Sequence, residues 1–200
     1  MILIVLQSLA YALGGSYAEK KYLATRYPAL YEKSDTTGMT YAFDLCIVSL
    51  VMYHFWLFNY GMSIGSLRNK YKEKARKDGE KDVDARYSYP NLYVAGGTKH
   101  ANAFNCAQRS HQQQLETVAA FTLFALTAAL SFPVVATVAS IIYTISRRIW
   151  AKGYGSNNDA GDAQRRYSAF FSGFFWKALA TLGFMSFMVC VNLTGLFTFW

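Results

Sequence analysis

The sequence predicts an all-α polytopic membrane protein: a four-transmembrane-helix bundle with an extra N-terminal apolar or interfacial segment. Three observations predict it. The chain has 200 residues, 53% of them hydrophobic. Its charges crowd into the stretches 17–35, 66–86 and 147–166, and the segments between are long enough to cross a bilayer, which takes about 20 residues each. Aromatic residues gather towards the ends of those segments (Tyr53, Phe55, Trp56, Phe58 and Tyr60; Phe170 to Trp176; Phe197 to Trp200), as interfacial belts do. A soluble helical domain would need the same segments to be amphipathic throughout, and they are not. The expected spans are 41–65, 104–130, 133–153 and 168–199, forming a membrane domain over 41–200, with 1–40 as an N-terminal extension.

Within that extension, Met1 to Leu13 are apolar apart from Gln7 and Ser8, and Gly14-Gly15 are expected to end the run. The run lacks the basic start of a signal peptide and is too short to span alone. It is expected to be an interfacial or partner-docking helix. Residues 16–40 should form a polar connection, with a short exposed helix before a loop at Pro28 and Ser34 to Gly38.

The first span carries Asp44 near one end and His54 near its middle. No other His lies at ligand spacing, so His54 is expected to bond a neighbouring helix rather than a metal, and no metal is expected anywhere. The second and third spans are joined only by Ser131-Phe-Pro133, which makes them antiparallel neighbours, with Pro133 in the first helical turn. The third ends in Ser146-Arg-Arg-Ile-Trp-Ala-Lys-Gly-Tyr154, and the fourth has no ionisable side chain of Asp, Glu, Lys, Arg or His after Lys177. Basic residues concentrate in 66–86 and 147–166, so both stretches should face the inner side and both chain ends the outer.

The net charge of +8 is explained by these flanking positions, where Lys and Arg orient spans and meet anionic headgroups. No interleaving of basic and aromatic residues and no zinc spacing accompanies them, which excludes nucleic-acid binding as a reading. Cys46, Cys106 and Cys190 lie in or near spans, where a thiol acts as a small hydrophobe.

Chemistry concentrates in Phe104-Asn-Cys-Ala-Gln-Arg-Ser-His-Gln-Gln-Gln-Leu-Glu116. On a helix, Arg109, Gln112, Gln113 and Glu116 fall at i, i+3, i+4 and i+7, a polar stripe that lipid would not tolerate and that must turn to a bundle or cavity. Arg147, Trp150 and Tyr154 make a second such face at the far end of the neighbouring helix, and Arg165 and Arg166 follow in the next loop. Several cations, one carboxylate and some amides suit a small anionic ligand that also carries an amine. The rival reading is structural: Arg109 and Glu116 as a register-fixing pair, Arg147 and Arg148 as snorkelling cations.

The Phe104–Glu116 segment, together with Tyr89-Pro-Asn-Leu-Tyr93 and Arg147 to Tyr154, resembles the membrane-associated proteins in eicosanoid and glutathione metabolism, most nearly their microsomal glutathione S-transferase branch. The resemblance covers about residues 41–200. It implies a four-helix subunit in a lipid bilayer that assembles as a homotrimer, with glutathione as co-substrate near the inner ends of the helices. The glutathione thiolate would attack lipophilic electrophiles or lipid hydroperoxides. The organelle implied is the endoplasmic reticulum or mitochondrion, with a plastid as a further option. Carried over by position, Arg109, His111, Gln113, Glu116, Arg147 and Tyr154 would bind glutathione, and Arg165 or Arg166 would activate its thiol. Arg76, Lys77 or Arg86 would add a basic contact from the end of the first span. The chain departs from the pattern at Gln113 (usually Asn), at Trp150 (usually Tyr) and in a longer loop after Tyr154. Those departures, with the N-terminal extension, motivate the alternative of a catalytically degenerate subunit of a larger membrane complex.

Overall fold

The computed structural model describes residues 1–156, 159–195 and 199. The described residues are overwhelmingly helical, and their only β-type pairing is an isolated bridge between Lys33 and Thr40. Helix α1 runs over Ile2–Ala18 and continues through a π turn, Glu19–Leu23, and a last turn, Ala24–Arg26. Helix α2 spans Tyr41–Lys77, α3 Lys99–Ala129, α4 Pro133–Ala151 and α5 Phe174–Thr194.

Among the described residues, four helical stretches are long and apolar enough to cross a membrane: Ile2–Arg26, Tyr41–Lys77, Pro133–Gly155 and Phe170–Thr194. The expected span at 104–130 is also a continuous helix, α3, 31 residues long, but its first half carries the polar stripe and dilutes its apolar character. The all-α polytopic membrane fold is therefore what the chain adopts. Val48, Val51, Met52, Phe55, Phe58 and Met62 of α2 are exposed, as lipid-facing side chains are.

Two stretches differ from the sequence reading. Gly14-Gly15 do not end the first helix, which runs on to Arg26 at 25 residues. A mid-helix glycine costs only about 1 kcal/mol. Gly15 allows close packing, since a Cβ there would lie 3.1 Å from a methyl of Val135. The basic stretch after residue 65 is likewise helix rather than loop as far as Lys77. Its Lys, Arg, Glu and Ala are strong helix formers, and Glu73 pairs with Arg76 one turn on. The helix stops at Gly79, whose φ of +73° only glycine adopts without strain.

The chain groups into two compact units: residues 1–53, 118–145 and 174–200, and residues 54–117 and 146–173. In the first, α1 packs on α5 through small polar residues. Ser8 donates to the Lys177 carbonyl at 3.2 Å, and Thr181 donates to the Ser8 carbonyl at 3.4 Å. Such groups hold apolar helices together where no hydrophobic force distinguishes helix from lipid. Buried rings of Tyr53, Phe121, Tyr143 and Phe175 interlock, Phe121 stacking on Tyr143 at 3.9 Å. Glu19 is fully buried, and its carboxylate accepts the Val134 and Val135 backbone N–H groups at 2.9 and 2.8 Å and the Tyr31 hydroxyl at 2.9 Å. It thereby satisfies orphan donors at the start of α4, where helix polarity favours an anion.

The second unit holds α2 from His54 onward, the start of α3, the end of α4 and the loop beyond it. Thr98 caps α3 by accepting from the Ala101 N–H at 3.3 Å. Asp159 ties the loop to α2, accepting from Lys70 at 3.0 Å, Tyr71 at 2.8 Å and Lys74 at 3.1 Å. Those partners, Lys70 foremost, hold the Asp159 carboxyl well below the usual carboxylate range.

Candidate functional site

The polar stripe of α3 lies in the second unit and sorts into pairs. Arg109 donates through both terminal nitrogens to the two carboxylate oxygens of Glu116, the second contact at 3.2 Å. The two side chains remain 42% and 54% exposed. Between them Gln112 accepts from the Tyr93 hydroxyl, so the Tyr89–Tyr93 segment closes over the same face.

Gln113 turns to Arg147 instead. Nη1 of Arg147 donates to the Gln113 side-chain oxygen, and Nη2 to the Gln113 carbonyl at 3.0 Å and the Thr117 hydroxyl at 2.9 Å. Arg147 is fully buried, and its guanidinium lies 5.1 Å from the Trp150 ring centre. It works as a strut that locks α4 to α3. Its planar fork of donors matches several acceptors at once, which an ammonium could not do.

From Trp150 the aromatic contacts lead outward. Trp150 is buried and meets Tyr154 edge to face at 4.9 Å. The Arg166 guanidinium stands 5.3 Å over the Tyr154 ring and 5.2 Å over Tyr167. Arg165 points elsewhere. Its side chain is exposed, and its carbonyl accepts from the Ser168 N–H and hydroxyl. The two arginines that the sequence left equivalent are thus separated, and Arg166 is the one beside Tyr154. Gly153 makes this possible, because a Cβ there would sit 2.5 Å from the Arg165 carbonyl oxygen.

His111 is not brought to the Arg109 face. Two positions along a helix is more than half a turn around it. The imidazole lies edge-on to Tyr60 at 5.9 Å, over Gly61, where a Cβ would come within 2.8 Å of Nε2.

The basic residues expected from the end of the first span are engaged otherwise. Arg76 pairs with Glu73 and Asp84, and Arg86 with Glu80, the Ala95 carbonyl and Thr98; Lys77 is exposed. A residue that the sequence did not single out, Arg68, is buried in this unit. Its guanidinium lies between the rings of Tyr89 and Phe104, 4.6 and 4.5 Å from their centres. Its place in the run Ser-Leu-Arg-Asn-Lys gave no signal, since burial there depends on the later segment folding back. Among the described residues no group of three or more His, Cys, Asp or Glu side chains gathers as metal ligands would.

The stripe and the strut behind it occupy segments that carried the family resemblance, and the loop arginine follows the last of them. The profile of the MAPEG family matches residues 45–188, which takes in all these side chains and leaves the whole of α1 outside. No solved structure matches the chain. With well over half of its length matched, the chain belongs to the MAPEG family, the membrane proteins of eicosanoid and glutathione metabolism.

Proposed function

We propose that the chain is a membrane-bound glutathione S-transferase or peroxidase that holds glutathione at the inner helix ends and turns its thiolate on lipophilic electrophiles or lipid hydroperoxides. The observation that carries this reading is the Arg109–Glu116 pair. A cation and an anion held two turns apart on one exposed face complement a ligand bearing both an ammonium and carboxylates, as glutathione does. The ligand's carboxylate would replace Glu116 on Arg109, and its ammonium would replace Arg109 on Glu116, so no charge is left without a partner. The motifs Tyr89–Tyr93 and Phe104–Glu116, which resemble those of microsomal glutathione S-transferase type 3, support this reading.

Thiol activation falls to Arg166 on this reading. A free thiol ionises at about 8.5, and a neighbouring guanidinium brings that down towards neutrality. The thiolate then forms a carbon–sulfur bond as the electrophile's leaving group departs. Trp150 stands where a phenol is usual and offers an indole donor in its place.

The test is glutathione binding by calorimetry, with conjugation of chlorodinitrobenzene, on purified protein. Wild type should bind and turn over, and Arg109→Ala should bind at least about tenfold more weakly and lose turnover. Absence of binding at millimolar glutathione overturns the reading, and binding without turnover favours a degenerate subunit.

A further inference from the structure

We infer that the cleft between α2 and α4, roofed by Arg148 and Lys152, binds the phosphate headgroup of an anionic phospholipid, separately from the Arg109–Glu116 face. The cleft lies wholly in the second unit, encloses about 290 Å³, and is lined by Trp56, Tyr60, Arg148, Ile149, Ala151 and Lys152. Its floor is a parallel stack, Trp56 on Tyr60 at 5.6 Å with 6° between the planes.

Arg148 lies with its guanidinium 5.8 Å from the Trp56 ring centre. At that distance the indole attracts the cation without occupying its N–H donors, which stay available to an acceptor. Lys152 follows four positions later, on the same face and one turn on. The two cations therefore flank one mouth.

Neither cation has a carboxylate within ion-pair reach among the described residues. Other cations of the unit do: Lys70 and Lys74 share Asp159, Lys72 and Arg76 share Asp84, and Arg86 holds Glu80. A helix C-terminus favours cations without any ligand. That preference accounts for the charges but not for a stacked aromatic floor beneath them.

The position selects the ligand. The cleft is at the end of α4 from which the basic stretch 147–166 begins, the side expected to face inward, where the leaflet is anionic. Paired cations at the membrane surface with an apolar floor suit a phosphomonoester headgroup, which takes a bidentate guanidinium and an ammonium together. The volume accommodates a headgroup and its glycerol rather than a whole two-chain lipid, whose acyl chains would stay in the bilayer. The reading uses no residue of the glutathione proposal, and its test needs no glutathione.

The experiment measures binding and thermal protection of the full chain in neutral detergent with three probes: dioctanoyl phosphatidic acid, dioctanoyl phosphatidylcholine and inorganic phosphate. The expected result is saturable binding and protection by phosphatidic acid. Phosphatidylcholine should bind at least about tenfold more weakly, and phosphate alone should not protect. R148Q/K152Q should lower phosphatidic acid affinity by about tenfold or more without moving the unliganded melting temperature, since both side chains are exposed. W56L should weaken binding severalfold through loss of the platform that orients Arg148. Unchanged phosphatidic acid affinity in R148Q/K152Q overturns the proposal. So does equal binding of phosphatidylcholine, and protection by free phosphate alone would reassign the cleft to a soluble anion.

Discussion

Arg109 and Glu116 sit seven positions apart on α3 and bond each other through both guanidinium nitrogens and both carboxylate oxygens. The stripe that had to face something polar thus faces itself. An exposed, internally neutralised pair contributes little to stability, because solvent and salt screen it. On the proposed glutathione reading its value lies in exchange, since each partner would be handed to a ligand group of the opposite sign. Glu116→Gln and Arg109→Ala should each lower glutathione affinity by about tenfold or more, with the unfolding midpoint nearly unchanged. Calorimetric titration beside a thermal melt checks both halves. A large fall in the midpoint would instead mark the pair as a structural clamp.

Arg147 should behave in the opposite way. Its buried guanidinium donates twice to Gln113 and once to Thr117, and Arg147→Met removes all three bonds. The expected loss is about 3 kcal/mol of stability. Arg147→Lys should recover only a small part, because one ammonium cannot reproduce a planar fork. Thermal unfolding in detergent reads the series.

Arg166 and Arg165 make a pair of controls. Arg166 stacks over Tyr154 while Arg165 is exposed. If Arg166 activates the thiol, Arg166→Ala should leave glutathione affinity within about threefold and cut the thiolate fraction at neutral pH, read from thiolate absorbance, with turnover falling about tenfold or more. Arg165→Ala should leave all three near wild type. The reverse outcome would transfer the role.

Glu19 predicts how far α1 is integrated with its unit. Removing a carboxylate that caps Val134 and Val135 should cost about 1–2 kcal/mol, the scale of a lost helix cap. Hydrogen exchange at those two amides should accelerate in Glu19→Ala and much less in Glu19→Gln, which keeps one acceptor oxygen. Equal exchange in all three proteins would mean that α1 is not needed to hold the start of α4.

Asp159 sets a pH dependence. Its folded carboxyl is held below the usual range, so the tether's contribution is complete above the unfolded value of about 3.9 and is lost as pH falls through the lower folded one. The difference in melting temperature between wild type and Asp159→Asn should therefore be constant from about pH 5 to pH 8, and shrink only below about pH 4. A difference that fades near neutrality would contradict the Lys70–Tyr71–Lys74 tether.

Much of this architecture was readable along the chain, and particular residues show where reading stopped. Pro133 and the three-residue connection before it disclosed the antiparallel pair, because a tight turn leaves no other arrangement. Gly14-Gly15 misled, since a glycine's preference for breaking a helix is worth about 1 kcal/mol and packing against Val135 outweighs it. The Lys-rich stretch after residue 65 misled differently: charge marks the end of a membrane span but not the end of a helix, and α2 carries on to Lys77.

The sequence by itself determined the membrane class, the helical fold and the polar stripe of α3. Hydropathy and the helical period are local properties, written within a few turns of chain. Only the tertiary structure decided how the charged groups are used: Arg147 as a strut, His111 packed against Tyr60 and Gly61, Arg166 rather than Arg165 beside Tyr154, Glu19 as the cap of α4. Those assignments depend on atoms brought within about 3 Å across as many as 116 positions of sequence, as Glu19 and Val135 are, and no local pattern encodes such a meeting.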